Sequence, residues 1–258
     1  MSGNPLTETE ITSLIEHSSL PIILVEGRED MSIYSWLASG RLPGGVEILP
    51  CSGRTTLLGV FERRHEFADK SVAFVADRDM WLFSGVPTCY LDVVWTHGFS
   101  VENDVLSSSL VDRLFSASEK EEFRKLAREL CIWFAQEVTE YLDGRHAVLD
   151  VHINQLIPLK SQTLDPSYSA RRRYRASSSK ELLRRIQAKP KQMVRGKQIL
   201  QLYVRILDAP SRRARYRTHS VLEIALKGCL GRSLRDMRQE VLSRLTGQQR
   251  TVEPLKKS

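Results

Sequence analysis

The chain has 258 residues, of which 41% are hydrophobic and 27% charged, an ordinary balance for a soluble globular protein with room for one large domain or two small ones. It contains no apolar run of about 18 residues, and Met1 to Glu10 has neither a basic start nor an apolar stretch, so neither a membrane span nor a secretory signal is expected. The net charge of +7 conceals a division: residues 1–159 hold 13 Lys+Arg against 24 Asp+Glu, and residues 160–258 hold 25 against 7.

In chain order, Thr7 to His17 reads as a short helix, with Leu6, Ile11, Leu14 and Ile15 apolar and Thr7 to Glu10 spaced as a capping box. Ile22-Ile23-Leu24-Val25 reads as a strand buried on both faces, ending at Glu26-Gly27. Arg28 to Ala38 has helical spacing (Met31, Ile33, Tyr34, Trp36, Leu37), Pro43-Gly44-Gly45 is a turn, and Val46 to Leu49 is a second strand. A helix over Thr55 to His65 leads into a buried strand, Ser71 to Ala76, which ends at Asp77; Thr88 to Trp95 is a further strand candidate. This alternation predicts an α/β fold with a mostly parallel sheet flanked by helices, and sites in such sheets lie beyond the carboxyl ends of the strands.

Beyond Phe99 the pattern turns helical and basic. Ser118 to Leu142 reads as one long helix with Phe123, Leu126, Leu130, Trp133, Phe134 and Val138 on one face. Pro158 and Pro166 flank a linker-like stretch, and Ser169 to Ser179 reads as a polar basic loop. Helices are expected over Lys180 to Lys189, Arg195 to Leu207, Ser220 to Lys227 and Ser233 to Leu245, with a frayed tail after Gly247. The expected parts are an N-terminal helix (1–17), a catalytic domain (18–110), a helical segment (111–160) and a basic helical binding region (161–258).

Two strand ends carry candidate chemistry. In Val25-Glu26-Gly27-Arg28-Glu29-Asp30 a buried strand delivers Glu26 to the sheet rim; Gly27 permits a tight turn and close approach of a ligand, and Asp30 sits on the first turn of the next helix. In Val75-Ala76-Asp77-Arg78-Asp79 a second strand ends in Asp-x-Asp, whose carboxylates point the same way if the segment is extended. Clustered carboxylates repel one another, and a hard cation such as Mg²⁺ (or Mn²⁺) with oxygen ligands relieves that repulsion. Against this, Glu26 is also a plain helix-start carboxylate and Asp30 a plain exposed helix residue. Cys51, Cys89, Cys131 and Cys229 are scattered without a C-x-x-C pair, so reduced thiols in a cytoplasmic protein are expected rather than a zinc site.

The V-E-G-x-x-D strand turn, followed about 50 residues later by the D-x-D strand, resembles the TOPRIM domain of topoisomerases, bacterial primases and OLD-family nucleases, over roughly Leu20 to Asp92. Thr96-His97-Gly98-Phe99-Ser100-Val101-Glu102-Asn103-Asp104 looks like the S-(I/V)-E-N box of TOPRIM-related nucleases of bacterial anti-phage systems, and Arg195-Gly196-Lys197 looks like their downstream G-K segment. The AriB-like effectors of the PARIS defence system are the family this resembles. The resemblance implies Glu26, Asp77 and Asp79 as metal ligands, and the position of Asp30 four residues after Glu26 makes it a supporting candidate for the same ion. The resemblance also implies Glu102 and Lys197 as further catalytic residues, an ABC-type ATPase sensor as partner, an active homodimer, and tRNA as the substrate cut in abortive infection. Glu102 with Ser100 as cap also reads as an ordinary helix start, Lys197 as a surface charge, and His97 as either a general base or a solvated side chain.

Two basic runs with an aromatic inside, Arg171-Arg172-Arg173-Tyr174-Arg175 and Arg212-Arg213-Ala214-Arg215-Tyr216-Arg217, are candidate contacts to RNA or DNA, with phosphate on arginine and a base on tyrosine. An acidic protein partner fits the same runs. The rivals to an RNA-cutting enzyme are a DNA nickase of the OLD type and a non-catalytic partner module of an ATPase.

Overall fold

The computed structural model describes residues 6–28, 31–38, 45–107, 110–174, 177–227 and 231–247. Asp30, Pro43-Gly44, Arg175, Cys229, the tail after Gly247 and the side chain of Leu37 lie outside the described residues. The elements run α1 (Glu8–His17), β1 (Ile22–Val25), α2 (Met31–Ala38), β2 (Glu47–Pro50), α3 (Arg54–Glu62), β3 (Val72–Ala76), α4 (Trp81–Ser84), β4 (Val94–Trp95) and α5 (Val101–Leu106). They continue through α6 (Ala117–Leu142), α7 (Ile153–Leu156), α8 (Pro166–Arg172), α9 (Lys180–Ala188), α10 (Pro190–Met193), α11 (Gly196–Leu207), α12 (Thr218–Lys227) and α13 (Arg232–Leu245). Two units form. One comprises residues 1–76, 87–95 and 235–258, and the other residues 77–86 and 96–234. Compared with the parts expected from sequence, α1 belongs with the sheet rather than standing alone, and residues 235–258 join the sheet's unit rather than the basic region.

The first unit is a four-stranded, all-parallel sheet in the order β2-β1-β3-β4, with helices. All four residues of β1 are buried, as an unbroken aliphatic run requires of a central parallel strand. Its register pairs Val25 with Val75 of β3 and with Pro50 of β2. Thr7 caps α1 in the predicted box: its N–H donates to Glu10 at 2.8 Å and its hydroxyl accepts from the Glu10 N–H at 3.3 Å. Ile11 and Ile15 face the core, whereas Leu14 is exposed. In α13, Met237, Val241 and Leu245 are buried, Arg238 lies over the Trp36 ring at 5.2 Å, and Arg244 pairs with Asp92 at 3.0 Å.

The strand expected over 88–95 is mostly absent. Its first part is a 3-10 turn, Thr88–Tyr90, in which the Tyr90 N–H donates to the Pro87 carbonyl at 3.0 Å. These local bonds take the backbone out of the ladder, so only Val94 and Trp95 pair with β3.

In the second unit α6 buries Phe123, Leu126, Leu130, Trp133, Phe134 and Val138, the face its spacing predicts. Phe134 meets Phe99 edge-on at 5.4 Å, and Phe115 stacks on Tyr203 of α11 at 5.3 Å. The loop expected from Ser169 is partly helix. Asp165 caps α8 and Pro166 takes its first position, where the missing N–H costs nothing. No helix among the described residues is long and apolar enough to cross a membrane.

Candidate functional site

In the sheet's unit β1 delivers Glu26 into the loop around α3. The Glu26 carbonyl accepts from the Gly53 N–H at 2.8 Å, and its Oε1 accepts from Arg54 Nε at 3.3 Å. Arg54 also lies over the Trp95 ring at 5.8 Å. Sequence reading missed Arg54, although a glycine-arginine pair just past a strand neighbouring β1 is the signal that exposes it once Val25 is set opposite Pro50. Burial, reinforced by the charge of Glu26, pushes the Cys51 thiol up to about 12. It therefore stays protonated near neutrality and is no nucleophile. Gly27 does not have a positive φ, and a Cβ there would meet nothing within 4 Å, so the backbone does not require glycine for its turn.

In the second unit the Asp-Arg-Asp segment is bonded to the start of α5. Asp77 Oδ1 accepts from the Val101 N–H at 2.9 Å, the Arg78 N–H donates to Thr96 Oγ at 3.0 Å, and the Asp79 N–H donates to the Phe99 carbonyl at 2.7 Å. Val101 is the first residue of α5, whose N–H has no partner within the helix, and a carboxylate is the favourable group to fill it. The extended geometry expected of Asp77 and Asp79 fails at the second residue. Asp79 has φ +47° because the chain turns there into α4, with the Leu82 N–H donating to its carbonyl at 3.1 Å. The left-handed region is strained for most side chains, and aspartate is among the few that tolerate it.

The S-V-E-N box is a joint. The Ser100 N–H donates to Asn103 Oδ1 at 2.8 Å and the Ser100 hydroxyl donates to Glu102 Oε2 at 2.5 Å. Glu102 is buried. Asn103 Nδ2 donates to the carbonyls of Lys191 at 2.6 Å and Val194 at 2.7 Å, and Asp104 accepts from the N–H groups of His97 and Gly98, each at 2.8 Å. Burial raises the Asp104 carboxyl above its ordinary value, with those two N–H groups opposing the rise. The G-K segment closes on the same joint. A Cβ on Gly196 would stand 2.4 Å from Ser100 Oγ and 2.9 Å from Glu102 Cβ. Lys197, the next residue, is exposed. Thus Asp77, Asp79, the S-V-E-N box and the Gly196-Lys197 segment belong to one bonded cluster in this unit, while Glu26 belongs to the other unit.

Gly196→Ala is expected to cost about 1–3 kcal/mol, the usual range for overpacking a closed site. Gly27→Ala, with open space around it, should melt as the parent does. Thermal unfolding of both variants checks the contrast, and equal melting of the two would show that the joint yields without cost.

Several side chains of the two basic runs are engaged with carboxylates of the same unit. Glu137 is fully buried and accepts from Arg172 Nε at 3.0 Å and Nη2 at 2.9 Å, from Tyr174 Oη at 2.7 Å and from the Val148 N–H at 2.8 Å. Arg172 and Tyr174 are therefore internal partners of a buried carboxylate rather than a free phosphate grip. In the second run Arg212 pairs with Glu119, donates to the Leu114 carbonyl at 3.1 Å and lies over the Tyr216 ring. Arg215 pairs with Asp208 at 2.8 Å. Arg171 donates to Ser167 at 2.8 Å but remains exposed, as do Arg173, Arg213 and Arg217. The carboxylate partners of Arg172 and Arg212 lie 35 and more positions away, so nothing local in the sequence marks these two arginines as paired.

Among the described residues no group of three His, Cys, Asp or Glu side chains is gathered tightly enough to hold an ion by itself. The donor set on the strand ends is nevertheless all carboxylate oxygen, which is the chemistry a hard divalent cation takes. Comparison with protein-family models and with curated proteins gives no match. What the fold and these residues define is an α/β protein with carboxylates following its two central parallel strands.

Proposed function

We propose that the chain is a metal-dependent nuclease on a TOPRIM-like core, for which the sequence resemblance names Glu26, Asp77 and Asp79 as the carboxylates that serve Mg²⁺ (or Mn²⁺). The observation that supports this most is the sheet. β1 and β3 are its central strands, they run parallel with Val25 opposite Val75, and a carboxylate follows each within two residues. Such an ion supplies Lewis-acid polarisation of a phosphodiester and an activated water. The chain's own part is positional. Arg54 holds Glu26, the Val101 N–H holds Asp77, and the turn at Asp79 fixes its backbone to Phe99. Glu102 is bound to Ser100 and acts through the joint, and Lys197 stands beside that joint. From the sequence resemblance the reading extends to a cytoplasmic effector of an anti-phage system that cuts tRNA, as a homodimer, once released from an ABC-type ATPase sensor.

The test incubates purified protein with total tRNA and, separately, with supercoiled plasmid, in Mg²⁺ and in EDTA. Discrete tRNA fragments that need the metal are expected. Nicked plasmid beside intact tRNA moves the substrate to DNA. Cleavage of neither by purified protein overturns the nuclease reading in favour of a partner module.

A further inference from the structure

A cleft of 320 Å³ opens in the second unit where α9 bends into α10. Leu82 and Met193 give it an apolar lining, His97, Arg185 and Lys189 a basic one, and no described carboxylate lines it. A second cleft of 420 Å³, lined by Ser107, Pro190 and Lys191 among others, meets the first along Lys189 and Gln192. Ala188, Lys189 and Gln192 line both, so the two clefts are neighbours, a track of two openings. Arg185 and Lys189 are exposed, and Arg185 is steadied by a 3.3 Å bond to the Leu82 carbonyl and by the Phe83 ring at 5.7 Å. Lys191, beyond them, is paired with Asp112 at 2.5 Å.

The cleft is tied to the Asp77–Asp79 cluster through three short paths within the same unit. Leu82 donates its N–H to the Asp79 carbonyl at 3.1 Å, and the His97 N–H is held by Asp104 of the joint. Gln192, which lines both clefts, accepts from the Phe99 N–H at 2.8 Å through its carbonyl.

We propose that this track seats unpaired nucleotides of the substrate strand, with phosphates on Arg185 and Lys189 and a base against Leu82 and Met193. The inference rests on the nuclease reading for its orientation towards Asp79, but the binding it describes is separate from cutting. A first cavity of this volume lies in the range of about 300–1,000 Å³ that takes small organic groups. Basic groups beside an apolar wall, with no carboxylate among the described lining residues to repel a phosphate, match one nucleotide, and the adjoining cleft accommodates its neighbour. A fully paired duplex offers no free base to such a wall. The two arginine-rich runs are weaker candidates for this task, because Arg172, Arg212 and Arg215 are engaged with carboxylates.

The test measures fluorescence anisotropy of a short labelled single-stranded RNA, the same sequence as DNA, and the matching duplex. EDTA is present, so that cutting does not intervene. The proteins are the wild type, the double variant Arg185→Ala/Lys189→Ala and the double variant Arg213→Ala/Arg217→Ala, with circular dichroism confirming that each is folded. The track predicts tighter binding of single strands than of duplex. It predicts at least about tenfold weaker binding in the first variant, with a salt slope lower by about 1.4 for two lost phosphate contacts. The second variant should lose no more than about threefold. Wild type that binds while Arg185→Ala/Lys189→Ala binds equally well overturns the track and leaves the nuclease reading standing. Displacement by polyglutamate as effectively as by unlabelled strand overturns it in favour of an acidic-peptide site. Wild type that binds none of the nucleic acids overturns it as well. Binding that follows the predicted pattern without cleavage in Mg²⁺ upholds the track and removes the nuclease reading.

Discussion

Asp77→Asn is expected to abolish metal-dependent cleavage while leaving the protein folded. The substitution keeps an oxygen where the Val101 N–H donates at 2.9 Å, so the start of α5 retains its partner and only the charge is lost. Metal-borne stabilisation of a phosphodiester transition state is worth several kcal/mol, which corresponds to about a thousandfold in rate. Glu26→Gln should act in the same way, since the amide oxygen still accepts from Arg54. Asp79→Asn is the matching change at the turn, because asparagine also tolerates a left-handed backbone. Cleavage assays over a Mg²⁺ titration, beside thermal melts, check all three. Activity within a few-fold of the parent for Asp77→Asn and Glu26→Gln alike would remove these carboxylates from the chemistry.

The second large effect concerns stability. Glu137→Ala should lower the stability of the second unit by about 3 kcal/mol or more, the cost of breaking a buried ion pair by deleting one partner. The deletion removes the acceptor of the Tyr174 hydroxyl and the Val148 N–H and leaves the Arg172 guanidinium with the His146 carbonyl in place of a carboxylate. Limited proteolysis should then cut first between Arg171 and Ser178, since Glu137 is what holds Arg172 and Tyr174. A variant as stable and as resistant as the parent would mean that these groups find other partners. Glu137→Gln separates charge from shape, as it keeps one acceptor for the same three donors.

The sheet was legible in the sequence because buried parallel strands have a direct signature. Four consecutive aliphatics at Ile22 to Val25 and the run ending at Ala76 can only be satisfied with both faces covered. The capping box of Thr7 and Glu10 and the buried face of α6 were legible for a similar reason, as each depends on residues within one or two turns. Three features were not legible, the first two because they depend on distant partners. Asp79 leaves the extended conformation because Phe99 and the turn into α4 claim its backbone. Arg172, Tyr174 and Arg212 read as a nucleic-acid surface because nothing local betrays Glu137 or Glu119. The strand expected at Thr88 dissolves into a turn once Pro87 offers its carbonyl to Tyr90. Of the candidate site, the position of Glu26 and Asp77 just past the ends of β1 and β3 was readable and the S-V-E-N joint was not. A serine-to-asparagine cap is a local motif, but the closure of Gly98 and Gly196 over it is a matter of packing.

The sheet's unit is assembled from three separate stretches of chain, the last of which begins at Arg235. Arg244 reaches back across 152 positions to Asp92, and Arg238 reaches further still, to Trp36. Contacts that distant in sequence form late, because the intervening chain must first be ordered. During synthesis from the N-terminus, β1 and β3 emerge long before the helix that covers their unit. A nascent chain stalled before Arg235 would therefore present Glu26 and Asp77 without the final helix in place. The sheet's unit therefore reaches its full packing only after the last of its three stretches has left the ribosome.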